Sequence, residues 1–262
     1  MDETFQTYLN RVARLTLPAT YQSQLQHIQE SPKFKLLPDG TQQAIPFPGY
    51  SVITPPWEEE SEHSAFYAPL KVLQQKLLQK LEPGLIVLVP PESFHLTLAD
   101  LIWDSAFRDR ERENPNFEQQ LHARIQESFQ QYQKSFADGN PICWQILGIM
   151  IRPRALAVAL APQDEDSYQR MLLFRRSIYQ NSGLIALGVE QQYNFTAHIT
   201  LGYFGQVSPD LDRERLANTL SDLSQQTLEE EIKPLCAHRV ELRKFDDMVR
   251  YYRQPDWPVL EF

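Results

Sequence analysis

The chain has 262 residues, 42% of them hydrophobic, with 25 basic against 34 acidic side chains and a net charge of -9. That length allows one large domain or two lobes sharing a core. The acidic balance argues against long nucleic acid held by charge alone, which requires a basic surface, but leaves room for a small phosphorylated ligand gripped by a few donors. Cys143 and Cys236 are the only cysteines and form no CxxC, so two free thiols in a reducing compartment are expected. The N-terminal MDETFQTYLNRVARL lacks a basic stretch followed by an apolar one, and no apolar run reaches membrane-spanning length. A cytoplasmic protein without membrane contact is the expectation.

In chain order, residues 1–30 read as one or two short Gln-rich helices parted near Pro18. KFKLLPDGTQQAI (33–45) reads as a hairpin turning at Pro38-Asp39-Gly40, and YSVIT (50–54) as a strand. Glu58, Glu59, Glu60 and Glu62 read as a solvated loop. Phe66, Leu70, Leu73, Leu77 and Leu81 recur at helical spacing over 64–81, with Pro83-Gly84 as the stop. LIVLV (85–89) is an apolar strand, separated by Pro90-Pro91 from a strand around His95. A helix over 115–136 carries Phe117, Leu121, Ile125, Phe129, Tyr132 and Phe136 on one stripe, ended by DGNP (138–141). Strands 142–151 and 155–161 flank Arg152-Pro153-Arg154. A third helix starts at Asp164-Glu165-Asp166, acids suited to a helix N-terminus, and runs to near Gly183. The His198 strand, a helix over 210–228 and strands near 238–244 and 256–261 complete the order. Strand pairs with short connections, alternating with helices, predict an α+β arrangement rather than a doubly wound one.

Two segments carry the chemistry. FHLTLADL (94–101) and AHITLGYF (197–204) each place a His and a Thr two residues apart inside an apolar strand. With 6 His and 11 Thr in the chain, random placement gives roughly 0.25 HxT, so two followed by Leu are hard to ascribe to chance. Each follows a helix, so the halves read as distant repeats. By strict alternation His95, Thr97 and Ala99 share one face, and His198, Thr200, Gly202 and Phe204 share another. Asp100 falls opposite His95. The small Ala99 and Gly202 are expected to leave room for a ligand. Two imidazoles suit a base and an acid near neutral pH, and Thr hydroxyls can donate to phosphate oxygens. The competing reading is two core histidines satisfied by backbone. Phe204 is a candidate for stacking on a nucleobase, against a plain core role, and Arg152 and Arg154 for phosphate contacts, against a solvated turn. A metal site needs a third or fourth ligand beyond the two histidines, and His27, His63, His122 and His238 show no ligand-like spacing. His122 is expected on a helix surface. GxSxG and phosphate-loop motifs are absent, and the Glu runs 58–60 and 229–231 read as solvated faces.

His95-Leu96-Thr97-Leu98 and His198-Ile199-Thr200-Leu201 resemble the paired motifs of the two-histidine phosphoesterase superfamily, which includes cyclic phosphodiesterases and bacterial 2′–5′ RNA ligase-like proteins. The resemblance covers residues 50–262. It leaves 1–49 as an N-terminal helical and hairpin extension, similar to that of an uncharacterised branch. It implies a bilobal, duplicated α+β fold, with two antiparallel sheets around a central cleft and helices outside. It also implies metal-free catalysis without a cofactor by His95, Thr97, His198 and Thr200, on a cyclic phosphate or 2′–5′ phosphodiester of a nucleotide or short RNA end. His198 is assigned as base and His95 as acid, with the reverse left open. A monomer is expected. GYFG follows the second motif where some relatives carry a basic residue. A non-catalytic nucleotide-binding module using the same cleft is the alternative.

Overall fold

In the computed structural model, which describes residues 3–37, 41–136 and 139–262, the chain opens with helices α1 (Phe5–Arg14) and α2 (Pro18–Leu25). Thr4 caps α1 by accepting from the Thr7 amide, and Pro18 sits at the first turn of α2, where a missing N–H costs nothing. Tyr8, Val12, Tyr21 and Leu25, spaced one turn apart in pairs, are buried in the same core as the rest of the molecule. The Tyr21 hydroxyl donates to the Ile149 carbonyl at 2.6 Å, and the Tyr8 hydroxyl accepts from the Ala197 amide at 3.1 Å. The expected hairpin follows as β1 (Phe34–Leu36) paired antiparallel with β2 (Gln42–Ala44); its Pro38-Asp39-Gly40 turn lies outside the described residues.

Next come β3 (Gly49–Ile53), α3 (Ser64–Lys80), β4 (Ile86–Leu88) and β5 (Thr97–Trp103). The α3 stripe of Phe66, Leu70, Leu73 and Leu77 is buried as its spacing predicts. A helix that periodicity did not reveal, α4 (Asp104–Glu113), follows. Its sequence DSAFRDRERE buries only Phe107, so it has no apolar stripe to read. Then come α5 (Phe117–Ser135), β6 (Ile142–Arg152), β7 (Ala155–Pro162), α6 (Glu165–Tyr179) and α7 (Ser182–Ala186). One helix was expected to run to Gly183; instead α6 ends and Asn181 caps α7 by accepting from the Gly183 and Leu184 amides. The chain closes with β8 (His198–Phe204), α8 (Arg213–Glu229), β9 (Leu235–Ala237), β10 (Arg239–Phe245), β11 (Tyr251–Tyr252) and β12 (Val259–Glu261).

The larger strands form two five-stranded antiparallel sheets, an α+β architecture. One runs β11-β10-β3-β5, with β12 also on β10; the other runs β4-β8-β7-β6-β9. Each HxT strand therefore lies in a different sheet. Neither sheet comes from one half of the chain: β4 crosses into the second, and the C-terminal strands complete the first. Helix α8 packs on β6, and α6 packs on β5, β6 and β7. Among the described residues no helix is long and apolar enough to cross a membrane.

Three expectations fail here for reasons of pairing. Cys143 and Cys236 lie directly opposite each other on β6 and β9, with Cα atoms 4.0 Å apart, and form a disulfide rather than two free thiols. A separation of 93 residues hides that register from sequence. The acidic stretch after β3 is not a solvated loop throughout. Glu59 grips Arg243 with bonds of 2.7 and 2.5 Å, and Glu60 bonds His63 at 2.9 Å. Arg243 is 1% exposed and also pairs with Glu241, so these acids supply the charge a buried guanidinium needs. His122, expected at the surface, is partly buried, its ring 4.6 Å from that of Trp257.

Candidate active site

A cleft of 530 Å³ is lined by both HxT segments. His95, Thr97, His198 and Thr200 all border it, together with Arg152 and Arg154 from the β6–β7 hairpin. The two histidines are held alike. Nδ1 of His95 bonds the Ser93 carbonyl at 2.7 Å, and Nδ1 of His198 bonds the Thr196 carbonyl at 2.8 Å, each two residues back. A carbonyl only accepts, so both Nδ1 atoms carry the proton, and in the neutral ring Nε2 keeps its lone pair for a ligand. The backbone does satisfy these histidines, as a core role requires, but only at one nitrogen each. Arg11 of α1 steadies the carbonyl side of His198, donating to Thr196 Oγ1 at 2.8 Å and to the Phe195 carbonyl at 2.6 Å.

Strict alternation fails just after each Thr. Along β5, Ser51 pairs with Asp100 and Val52 with Ala99, but Ile53 pairs with Thr97, so Leu98 is an extra residue; a second shift follows at Leu101. Along β8, Thr200 pairs with Ala157 and Gly202 with Leu156, leaving Leu201 extra. Each bulge flips the faces beyond it. The cleft consequently receives Asp100 and Trp103 after Thr97, and Tyr203 after Thr200. Asp100, expected opposite His95, is on its side. Phe204, a candidate stacking residue, is 0% exposed and belongs to the core. Ala99 and Gly202 leave no ligand space either. A Cβ on Gly202 would lie 2.6 Å from the Val87 carbonyl oxygen, so that glycine admits β4.

Buried polar side chains hold both bulges. Gln74 of α3 donates to the Leu201 carbonyl at 2.7 Å and to Val89 at 2.9 Å. Arg175 of α6 donates to the Leu98 carbonyl. Both donors are largely hidden from water, so these bonds carry the full cost of being lost. The sequence signal was faint, a Gln and an Arg on otherwise apolar helix faces.

The surroundings of the two imidazoles differ. Arg152 Nη1 is 3.2 Å from His198 Nε2 and 3.4 Å from Nδ1, near-equal distances that put the cation against the ring and leave the Nε2 lone pair open. Burial, then Arg152, pushes the His198 pKa down to about 3. His95 packs against Tyr251, ring centroids 4.2 Å apart, and burial pushes its pKa down to about 4. Both rings are therefore neutral at neutral pH. Across the opening Tyr193 donates its hydroxyl to the Asp100 carboxylate. Arg154 is exposed at the hairpin tip, bonded to Gln29 Oε1 at 3.3 Å. No pattern in the sequence pointed to Tyr193, Tyr203 or Tyr251.

A metal finds poor purchase among the described residues. The one grouping of potential ligands there is Glu60, Glu62 and His63. His63 has both nitrogens engaged, by Glu60 and by the Cys236 carbonyl at 2.8 Å.

No family model and no curated protein matches the chain. Solved structures do. A conserved protein of unknown function from Agrobacterium tumefaciens str. C58 superposes with a TM-score of 0.56 at 15% identity, over 89% of this chain and 96% of that one. The chain shares that protein's fold. Escherichia coli LigT complexed with 3′-AMP is similar at a TM-score of 0.41 and 14% identity, over 82% of this chain and 98% of that one. The protein TT0787 of Thermus thermophilus is similar at 0.40 and 19% identity, over 82% and 95%. Shared fold does not fix activity, which has to be argued from the site.

Proposed function

We propose that the cleft hydrolyses a cyclic phosphate or a 2′–5′ phosphodiester of a nucleotide or short RNA end, without metal or cofactor. The observation that carries this reading is the matched pair of histidines, each pinned through Nδ1 with Nε2 open and each followed by a Thr, on one cavity. His198 Nε2 takes a proton from water, whose oxygen bonds to phosphorus. The P–O bond to the 2′ or 3′ oxygen breaks, and His95 gives its Nε2 proton to that oxygen. Thr97, Thr200 and Arg152 hold the non-bridging oxygens, where charge accumulates. Arg154 stands at the rim.

The assignment of roles follows from charge. Arg152 against its ring keeps His198 neutral, as a base must be. His95 has no cation against its ring, so a phosphate anion beside it draws a proton there more readily. The ligand is small, and a single chain supplies every group named.

The binding-module reading rests on a different observation: both imidazoles are neutral at neutral pH, and a binder needs no proton on either. A screen of 2′,3′-cyclic nucleotides and 2′–5′ oligomers in excess EDTA separates the two. Ring opening or diester cleavage that survives the chelator is the expected result. Binding without turnover selects the module. Activity lost to EDTA and restored by zinc contradicts metal-free catalysis.

A further inference from the structure

Lys33, between α2 and β1, reaches the cleft from the N-terminal segment. Its ammonium lies 4.5 Å from the centre of the Phe47 ring, 5.0 Å from that of Tyr203 and 3.1 Å from Met248 Sδ. Aromatic faces and a thioether are weak partners for a strongly hydrated cation. Lys33 makes no ion pair among the described residues. Asp100, the carboxylate lining this cleft, is engaged by Tyr193. Arg152 and Arg154 border the same space, so three cations face a single carboxylate there. Burial pushes the Lys33 pKa down to about 8, as expected of an amine lacking a full counter-charge.

Lys33 sits at the Tyr203 side of the cleft, three residues beyond Thr200, and is near enough to His198 to help push that ring's pKa down. Its immediate neighbours are two rings and a thioether, not a histidine or an HxT threonine. The reacting phosphate has Thr97, Thr200 and Arg152 as donors, so an ammonium in this position suits a further anionic group on the same molecule.

We propose that Lys33, flanked by Arg154, binds a second phosphate of the substrate, so that the substrate class is a cyclic phosphate carrying a further phosphate group on its 5′ side. This deepens the hydrolase reading and rests on it. Residues 1–49 thereby supply a specificity determinant, with Phe47 and Lys33 closing one wall of the cleft.

Titration calorimetry with adenosine 2′-monophosphate and adenosine 2′,5′-bisphosphate isolates the second phosphate. In the wild type the 5′-phosphate should lower Kd at least tenfold. In Lys33→Met, which fits among Phe47, Tyr203 and Met248, that gain should fall below threefold. A wild-type gain under tenfold, or a gain of threefold or more in the variant, overturns the proposal. Circular dichroism checks folding, and Lys33→Gln is measured in the same way if the Met variant does not fold. The same ratio is then read in kcat/KM, using 2′,3′-cyclic AMP with and without a 5′-phosphate. If neither is hydrolysed while the calorimetric ratio holds, the second-phosphate site stands and the hydrolase reading falls.

Discussion

At one side of the cleft a guanidinium lies 3.2 Å from Nε2 of His198; at the other, His95 packs on the ring of Tyr251 with centroids 4.2 Å apart. The two sides are otherwise built alike. Each imidazole bonds the carbonyl two residues before it, each Thr follows at the second position, and each strand then bulges so that the third residue after Thr also enters the cleft. That third residue is Asp100 on one side and Tyr203 on the other. The shared features fix tautomer and aim. The differing ones set charge, and charge separates a base from an acid. Two like segments thus hold two unlike groups.

The comparison breaks most visibly if the histidines are removed. His95→Ala and His198→Ala should each lower the rate on a cyclic nucleotide by about 10²–10⁴-fold, the usual worth of a positioned acid or base. The double variant should lose less than the product of the singles, because the groups act as a unit. Steady-state kinetics with circular dichroism as the folding control measures this. Wild-type rates in both folded single variants contradict the mechanism.

Acidity sharpens the comparison. In the free protein both imidazoles titrate low, at about 4 for His95 and about 3 for His198. The acid must be protonated, and kcat/KM reports free-enzyme pKa values. Between pH 7 and 5, kcat/KM should therefore rise roughly tenfold per unit as pH falls, with its decline at lower pH set by His198. Arg152→Gln removes the cation that favours neutral His198, so that decline should move to higher pH. A pH–rate profile of the two proteins shows whether it does.

A smaller effect tests the bulges. Gln74→Leu leaves the Leu201 carbonyl with one donor fewer, on the Tyr203 side alone. Stability should fall by about 1–3 kcal/mol, the cost of a buried polar group losing its partner. Arg175→Met does the corresponding thing at Leu98, on the Asp100 side. Denaturant unfolding of both variants reads the two bulges separately; unchanged midpoints mean that neither carbonyl depends on its helix.

Much of this was legible in the residues, and the illegible parts share a cause. Periodicity found α3, α5 and α8 because each buries a stripe, and the paired HxT segments stood out because polar residues repeat inside apolar strands. His95, Thr97, His198 and Thr200 all border one cleft, although His95 precedes β5 rather than lying in it, and alternation misplaced Asp100 and Phe204. A bulge is a property of pairing between strands, and Gln74 and Arg175, which hold the bulges, lie far from them in sequence. Cys143 and Cys236 misled in the same way, since only the β6–β9 register reveals their partnership. Nothing in the local sequence marks Lys33 or Arg243, which only the fold brings to the cleft and the interior.

The central claim is that one phosphate lies between two imidazoles in different protonation states. Nitrogen-15 NMR of the imidazoles, at pH 6 with and without adenosine 2′-monophosphate, tests it directly. The free protein should show both rings neutral with the proton on Nδ1. On binding, His95 should gain a proton at Nε2 while His198 stays neutral. Protonation of His198 instead would reverse the two roles, and rings that ignore the nucleotide would contradict the account.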